Sequence, residues 1–263
     1  MRHTLKSGGL MYNILVLGRN SISSKILIHN ISKEHNVFWC AEVRDDKFKL
    51  VLNRIKRFGF LHVISQLMFQ VLQKFIYRFS SKRISEIVNN IAYLNYSPDL
   101  SLSNVNSQEC RDILDKQQKF DLVLLSGTRI ISQELIDYFN GTPIVNIHAG
   151  ITPAYRGVHG GYWALVSGDL DNFGATIHFV DKGIDTGKKI SCIYVKPTSY
   201  DNFSTYPLLQ QVAAVEVLMK HIPDIIEKNI LDGLVDDVSS NNKVWSHPGF
   251  FEYIYNYFRY GVK

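Results

Sequence analysis

Pro143-Ile-Val-Asn-Ile-His-Ala-Gly-Ile-Thr-Pro-Ala-Tyr-Arg-Gly157 is the stretch from which the rest of the chain is read. Ile144, Val145 and Ile147 form a short apolar run weighted toward β-branched side chains, which reads as a strand. A period of two sets Asn146 and His148 on the same side of its end. Gly150, Pro153 and Gly157 interrupt regular structure, so an ordered loop follows the strand directly. In an open α/β sheet that position is the ligand crevice.

Downstream, Gly174-Ala-Thr-Ile-His-Phe-Val180 alternates as a strand does and leads into Asp181-Lys-Gly-Ile-Asp-Thr-Gly187, a turn rich in Asp and Gly. If the two strands are neighbours, an amide (Asn146), an imidazole (His148) and a carboxylate (Asp185) converge. Such a trio supports acyl-type transfer. Asn146 donates to an oxyanion, His148 stabilises or protonates the developing intermediate, and Asp185 orients the ring or relays a proton. Taken singly, each of the three is more readily a satisfied structural residue than a catalyst. No metal site is expected, because His148, His159 and His178 lack tight ligand spacing and no cysteine lies near them.

In these residues the chain resembles the folate-dependent formyltransferases, which include glycinamide ribonucleotide formyltransferase, methionyl-tRNA formyltransferase and the sugar N-formyltransferases. Asn146-Ile147-His148, Pro153, Arg156-Gly157 and Ile184-Asp185-Thr186-Gly187 follow that family's pattern in order. His178-Phe179-Val180 matches the strand before its aspartate. Gly150 stands where the family usually has Ser, and Ile151-Thr152 replaces a Leu pair. The resemblance runs from about Ile14 to Ile193. It implies an α/β, Rossmann-like formyltransferase core with a mostly parallel sheet flanked by helices, and 10-formyltetrahydrofolate as formyl donor. It also implies Asn146, His148 and Asp185 as catalytic residues. Gly127, Thr128, Arg129, Ile130 and Ile131, with Asp181, Gly183 and Ile184, are then the folate contacts. Gly18, Arg19 and Asn20, with Tyr155, Arg156 and Gly157, are the contacts to the amine substrate.

Outward from the motif, Phe120-Asp-Leu-Val-Leu-Leu125 reads as a strand ending at Ser126-Gly-Thr-Arg-Ile-Ile131, and Ser132 as the N-cap of a helix to Phe139. Apart from the resemblance, the Gly127 turn is a plain strand-to-helix connection. Asn13-Ile-Leu-Val-Leu-Gly18 reads as a buried parallel strand, followed by a turn and a helix capped among Asn20 and the serines. That first turn fits an anion site on free amides as well as a purely structural connection. Asn36 to Ala41 is the second strand, and Asn95 to Asn106 a polar loop containing Pro98. Ser107 to Gln118 is a helix, His159 to Val166 opens another, and further helices span Leu208 to Ile222 and Pro223 to Asn229.

The segment from Arg44 to Arg83 carries ten Lys and Arg against Asp45 and Asp46, so in a chain of net charge +5 the remainder is acidic. Phe58 to Phe79 is apolar and helical in pattern, but Gln66, Gln70, Gln73, His62 and Lys74 argue against a spanning helix. A helix face against the core or a second subunit is the first reading, which leaves a homodimer open; a membrane-surface face is the alternative. No motif supports nucleic-acid binding. The expected organisation is a disordered leader over 1–11, with Met11 an alternative start, a core over 12–195 holding a basic helical insertion at 44–95, and a C-terminal helical and aromatic extension over 196–263. Cys40, Cys110 and Cys192 are scattered, as in a reducing, cytoplasmic compartment, and residues 1–10 lack the apolar centre of an export signal.

Among relatives of the resembled family, the methionyl-tRNA enzymes carry a C-terminal β-barrel that contacts tRNA, and the tail here is too short for one. The purine enzymes usually lack an insertion like 44–83. The acceptor expected from these differences is a nucleotide-linked amino sugar for a surface polysaccharide. Another small amine, a hydrolase acting on the same folate, and a binding protein without turnover are the alternatives.

Overall fold

The structure, a computed structural model, describes residues 5–6, 9–43, 47–89, 95–228 and 243–263. The helix end expected at Asn229, and the charges of Arg44, Asp45 and Asp46, lie outside the described residues. Within the expected leader, β1 (Leu5–Lys6) pairs antiparallel with β2 (Gly9–Leu10). Then come β3 (Asn13–Gly18), α1 (Ile22–Ile31) and β4 (Asn36–Glu42), and the insertion as α2 (Lys47–Phe58), α3 (Phe60–Phe79) and α4 (Ser81–Ile87). The chain returns through β5 (Leu100–Leu102), α5 (Gln108–Leu114), β6 (Leu122–Ser126), α6 (Gln133–Tyr138) and β7 (Ile144–His148). It continues as β8 (Arg156–Gly157), α7 (Gly160–Val166), β9 (Gly174–Phe179), β10 (Lys189–Tyr194) and α8 (Tyr206–Ile226), and closes with β11 (Val244–Trp245) and α9 (Phe250–Tyr260).

Among the described residues the main sheet has the order β10-β9-β7-β6-β3-β4-β5. The five strands from β7 to β5 are parallel; β9 and β10 run antiparallel along one edge. The sheet is therefore mostly parallel and flanked by helices, as the resemblance implies. One face packs Val16, Leu124, Val145 and Ile177 under α1 and α8. The other packs Leu15, Leu17, Val123 and Leu125 under α5 and α6. On that second face the apolar layer ends at Ile144. Beyond it β7 and β9 present Asn146, His148, Thr176 and His178, and these polar residues lie where loops rather than helices cover the sheet.

Two elements differ from expectation. Leu100–Leu102 is a short edge strand beside β4, not loop; three residues show too little alternation to be read as a strand. The helices expected on either side of Pro223 are one helix, α8, with Pro223 inside its last turn. Ile222 and Ile225 are buried on the same stripe of α8, and that packing outweighs the hydrogen bond a proline forgoes.

A third cluster lies outside the sheet. Phe69 of α3 meets Tyr253 of α9 at a ring-centroid distance of 4.7 Å and Phe203 at 4.8 Å, with Tyr162, Trp163 and Tyr206 around them. The face of α3 carrying Val63, Gln66 and Phe69 is buried, while Leu61, Met68, Val71 and Phe75 are exposed. β11 pairs with β8, so the C-terminal segment grips the motif loop. The bidentate pair Arg83–Asp201 (2.8 and 3.2 Å) ties α4 to the segment that opens α8. Among the described residues no helix is long and apolar enough to cross a membrane.

Candidate active site

The pairing of β7 with β9 sets Asn146 opposite His178 and His148 opposite Thr176, and the turn after β9 folds back over that face. Asp185 thereby reaches the imidazole. Its Oδ2 lies 3.3 Å from His148 Nδ1 and accepts from the Gly157 amide at 2.9 Å. The three residues singled out from sequence are brought together, and the adjacency they required is supplied by the antiparallel edge.

Hydrogen-bond partners assign the tautomers. His148 Nε2 lies 2.6 Å from the Tyr155 carbonyl, which only accepts, so Nε2 carries the proton and Nδ1 faces Asp185 with a lone pair. His178 Nδ1 lies 2.7 Å from the Phe179 carbonyl and carries its proton there. His178 Nε2 therefore accepts from Asn146 Nδ2 at 3.2 Å. One amide hydrogen of Asn146 is used in that bond, and the other is left for the cleft. His148 is only 6% exposed. Burial lowers its pKa from the ordinary value, and this outweighs the attraction of Asp185 and the bond to Tyr155. Burial acts against the charge of Asp185 as well, but His178, His148 and the Gly157 amide overcome it, and the carboxyl stays below its usual range.

Gly150 explains the departure at that position. A Cβ there would lie 2.4 Å from the Tyr155 carbonyl oxygen and 2.8 Å from His148 Nε2. Only a residue without a side chain lets the carbonyl reach the ring; a serine here would displace it.

A cleft of about 280 Å³ opens over Asn146, His148, His178 and Asp185. One wall is the turn after β6, Gly127 to Ile131; the other is Val180, Asp181, Gly183 and Ile184. Gly127 takes a positive φ of 67°, which starts that turn at no steric cost. Glu42 then fastens it. This carboxylate, 4% exposed at the end of β4, accepts from the Arg129 amide (3.1 Å), Thr128 Oγ1 (3.3 Å) and the Val105 amide (3.3 Å), and pairs with the Arg129 guanidinium. Asn106 adds a bond to the Ile130 carbonyl at 3.0 Å. Arg129 thus holds the wall from behind through its side chain, leaving the turn itself to line the cleft. Asp181 is similarly turned inward, accepting from the Gly183 amide at 2.9 Å and Thr186 Oγ1 at 2.7 Å.

The residues expected to contact the amine substrate divide. Gly157 lines the cleft. Arg156 braces the opposite wall by donating to the Ile184 carbonyl at 2.8 Å. Tyr155 is corrected: its ring is buried against Trp245 and its hydroxyl donates to Asp169 at 2.7 Å, so it acts through its carbonyl on His148. Gly18, Arg19 and Asn20 do not line the cleft. The Arg19 amide is already given to the Ser126 carbonyl at 3.1 Å, and a Cβ at Gly18 would meet that same oxygen at 2.5 Å. That leaves the Arg19 amide unavailable to an anion, although Arg19 also lines a separate cavity. Sequence reading passed over two residues here. His178 was legible as the cross-strand partner of Asn146, and Glu42 as a carboxylate closing an otherwise apolar strand.

A family model described as formyl transferase matches residues 77–217, over half of the chain and all of the cleft. The chain belongs to the formyl transferase family. The chain is 33% identical over 93 residues to the methionyl-tRNA formyltransferase of Finegoldia magna, a match covering 35% of this chain and 29% of that one. It spans less than a third of the first curated relatives it matches. Its fold is shared with a sugar N-formyltransferase from Shewanella sp. (TM-score 0.51, 16% identity, 90% of this chain and 76% of that one). It is shared also with glycinamide ribonucleotide transformylase 1 from Symbiobacterium toebii (TM-score 0.54, 20% identity, 83% and 89%). The match at 77–217 leaves the first turn, most of α3 and the C-terminal clasp outside it, and these are the parts that surround the second cavity.

Proposed function

We propose that this chain moves a formyl group from 10-formyltetrahydrofolate to the amine of a nucleotide-linked amino sugar. The observation that carries the transfer is the meeting of Asn146, His148 and Asp185 at one cleft beside two ordered walls. The cleft suits a flat bicyclic ring. Gly127 to Ile131 and Asp181 to Ile184 offer backbone polar groups, Leu125, Ile147 and Val180 offer apolar surface, and Ile130 and Ile184 flank the mouth 64% and 38% exposed. These residues would hold the folate, which when bound supplies an activated formyl carbon.

The chain's own groups divide the remaining work. Nε2–H of His148 is committed to Tyr155, so charge developing on the formyl oxygen is met by the second amide hydrogen of Asn146 rather than by His148. Nδ1 of His148, lone pair toward Asp185, accepts the proton that the attacking amine must lose, Asp185 stabilises the imidazolium that results, and the ring would return the proton to the folate nitrogen as its bond to the formyl carbon breaks. A neutral ring is required at the start, and burial keeps it neutral at pH 7. The acid limb of the rate profile should therefore fall below the ordinary histidine value of 6.5.

The matched proteins are named for different acceptors, so the amino-sugar reading rests on this chain's surroundings. The cleft is bounded at Gly157 and Val158 by β8, which β11 backs, and this enclosure favours a small molecule. The test is incubation with 10-formyltetrahydrofolate and a panel of nucleotide-linked amino sugars, with mass detection of an added formyl group. His148→Ala and Asp185→Asn should fold, keep binding folate and lose about a hundredfold to a thousandfold in turnover. Free formate with no formylated acceptor would instead mean a hydrolase, and retained transfer by His148→Ala would overturn the proton route.

A further inference from the structure

A second cavity, of about 540 Å³, lies between the first turn of the sheet and the insertion, lined by Arg19, Gln70, Gln73, Lys74, Tyr77 and His247. Residues 70, 73, 74 and 77 follow the spacing of one helix face, so α3 turns a polar stripe toward Arg19 beside the apolar stripe that anchors it. Neither cation has a carboxylate in this wall. The side chains of Arg19, Gln70, Gln73 and Lys74 make no hydrogen bond or ion pair with other described residues, in contrast to Arg83 and Arg129, which are both paired. Two unpaired cations brought together from elements far apart in sequence repel each other, and an anion between them removes that cost.

The cavity adjoins the catalytic cleft. Gly157 and Val158 line the cleft, the Val158 amide donates to the Trp245 carbonyl at 3.1 Å, and the next residue, His159, meets His247 of the cavity with 2.8 Å between Nε2 and Nδ1. The two spaces share one wall, made by the β8–β11 pair and its neighbours.

We infer that this cavity binds the diphosphate of a nucleoside diphosphate, with Arg19 and Lys74 as its charge partners and Gln70 and Gln73 as amide donors. A diphosphate carries charge for both cations and oxygens for both amides, whereas a single phosphate satisfies one side. Tyr77 adds an aromatic wall suited to the base. The insertion then has a chemical purpose: it supplies one half of the acceptor site that the first turn alone, with its Arg19 amide already bonded to Ser126, leaves incomplete. The inference rests on the transfer reading above only in taking this diphosphate to be the handle of the acceptor.

The test is calorimetric titration of the full chain with UDP, dTDP and inorganic phosphate, at low and moderate salt. A nucleoside diphosphate should bind, more weakly as salt rises, and Arg19→Ala and Lys74→Ala should each weaken it about tenfold to a hundredfold. Arg78→Ala, a change outside the cavity, should leave it unchanged. If neither nucleoside diphosphate binds the unaltered chain, if inorganic phosphate alone does, or if Arg19→Ala and Lys74→Ala bind as well as the parent, the inference is overturned. Failure of the transfer reading looks different: diphosphate binding is lost in the two variants, yet no amine is formylated. Formyl transfer with an acceptor KM unmoved by Lys74→Ala overturns the cavity assignment and leaves the chemistry standing.

Discussion

Asn146, His148 and Asp185 are brought together by a sheet ladder and the turn that follows it, whereas the aromatic cluster around Phe69 and Tyr253 is brought together mainly by side chains. In the first region each strand fixes its neighbour's register, and a two-residue period then fixes which side chains face the cleft. In the second, α3, α7, the 203–206 segment and α9 share no strand ladder among the described residues, and are held by ring contacts and single ties such as Asn256 to the Tyr162 hydroxyl at 2.9 Å and the Phe203 amide to the Lys263 carbonyl at 2.8 Å. The difference teaches where each region is vulnerable. The cleft depends on backbone geometry that most substitutions leave intact, and the cluster depends on the volume of a few rings.

The largest effect should come from emptying the cluster. Tyr253→Ala removes a ring that is 5% exposed and touches Phe69, Tyr162 and Phe203, and should cost about 3–5 kcal/mol. Hydrogen exchange sharpens the contrast: protection in α3 and α9 should fall while β3, β6 and β7 remain protected. Equal loss across the sheet would show the two regions to be one cooperative unit. Next, Glu42→Gln places an amide among the donors that the carboxylate now satisfies. It should lower stability by about 1–3 kcal/mol in urea denaturation and raise the KM for folate through the loosened Gly127 turn, with α3 and α9 unaffected.

A smaller, pH-dependent effect separates the regions again. Burial holds His159 well below the usual 6.5, with His247 adding to the shift, and burial lowers His247 as well. The unfolded chain takes up protons near 6.5 that these rings refuse. Stability is therefore full above that pH and falls below it, by up to about 1.4 kcal/mol per pH unit for each ring. Asp201 and Asp185 have depressed values, and what they contribute is lost only as pH falls below the usual 3.8. His159→Asn, which tolerates the φ of 60° at that position, should flatten the decline between pH 6.5 and 5. A slope unchanged by this variant would move the acid sensitivity elsewhere. The smallest effect is expected at Cys192→Ser on the β10 edge, within about 0.5 kcal/mol and with unaltered turnover.

The same contrast explains what could be read from the residues alone. Ile144-Val-Asn-Ile-His148 declares a strand and the side on which its polar residues lie, so Asn146 and His148 were legible together; the cleft walls came only from the resemblance, and His178 needed the pairing register to join them. Tyr155 was assigned to substrate because a tyrosine in a motif loop reads equally as contact or core, and the decision lies with Trp245, ninety residues away. The β8–β11 pair of two residues each shows no period at all. Arg19 and Lys74 are separated by the whole of β4 and α2, and no local pattern says that they face one space.

Of the three tryptophans, Trp39 is buried in the sheet, while Trp163 and Trp245 stack on each other at 4.8 Å and 21°, with the Lys243 ammonium 3.3 Å above the Trp245 ring. Two parallel indoles so close couple their excited states, and a cation over one of them shifts its emission. The clasp therefore has its own optical signature: near-ultraviolet circular dichroism follows the Trp163–Trp245 couplet, and Trp39→Phe leaves fluorescence arising from the wall between cleft and cavity alone. Ligand entry on either side of that wall can be timed in a stopped-flow instrument without attaching a dye.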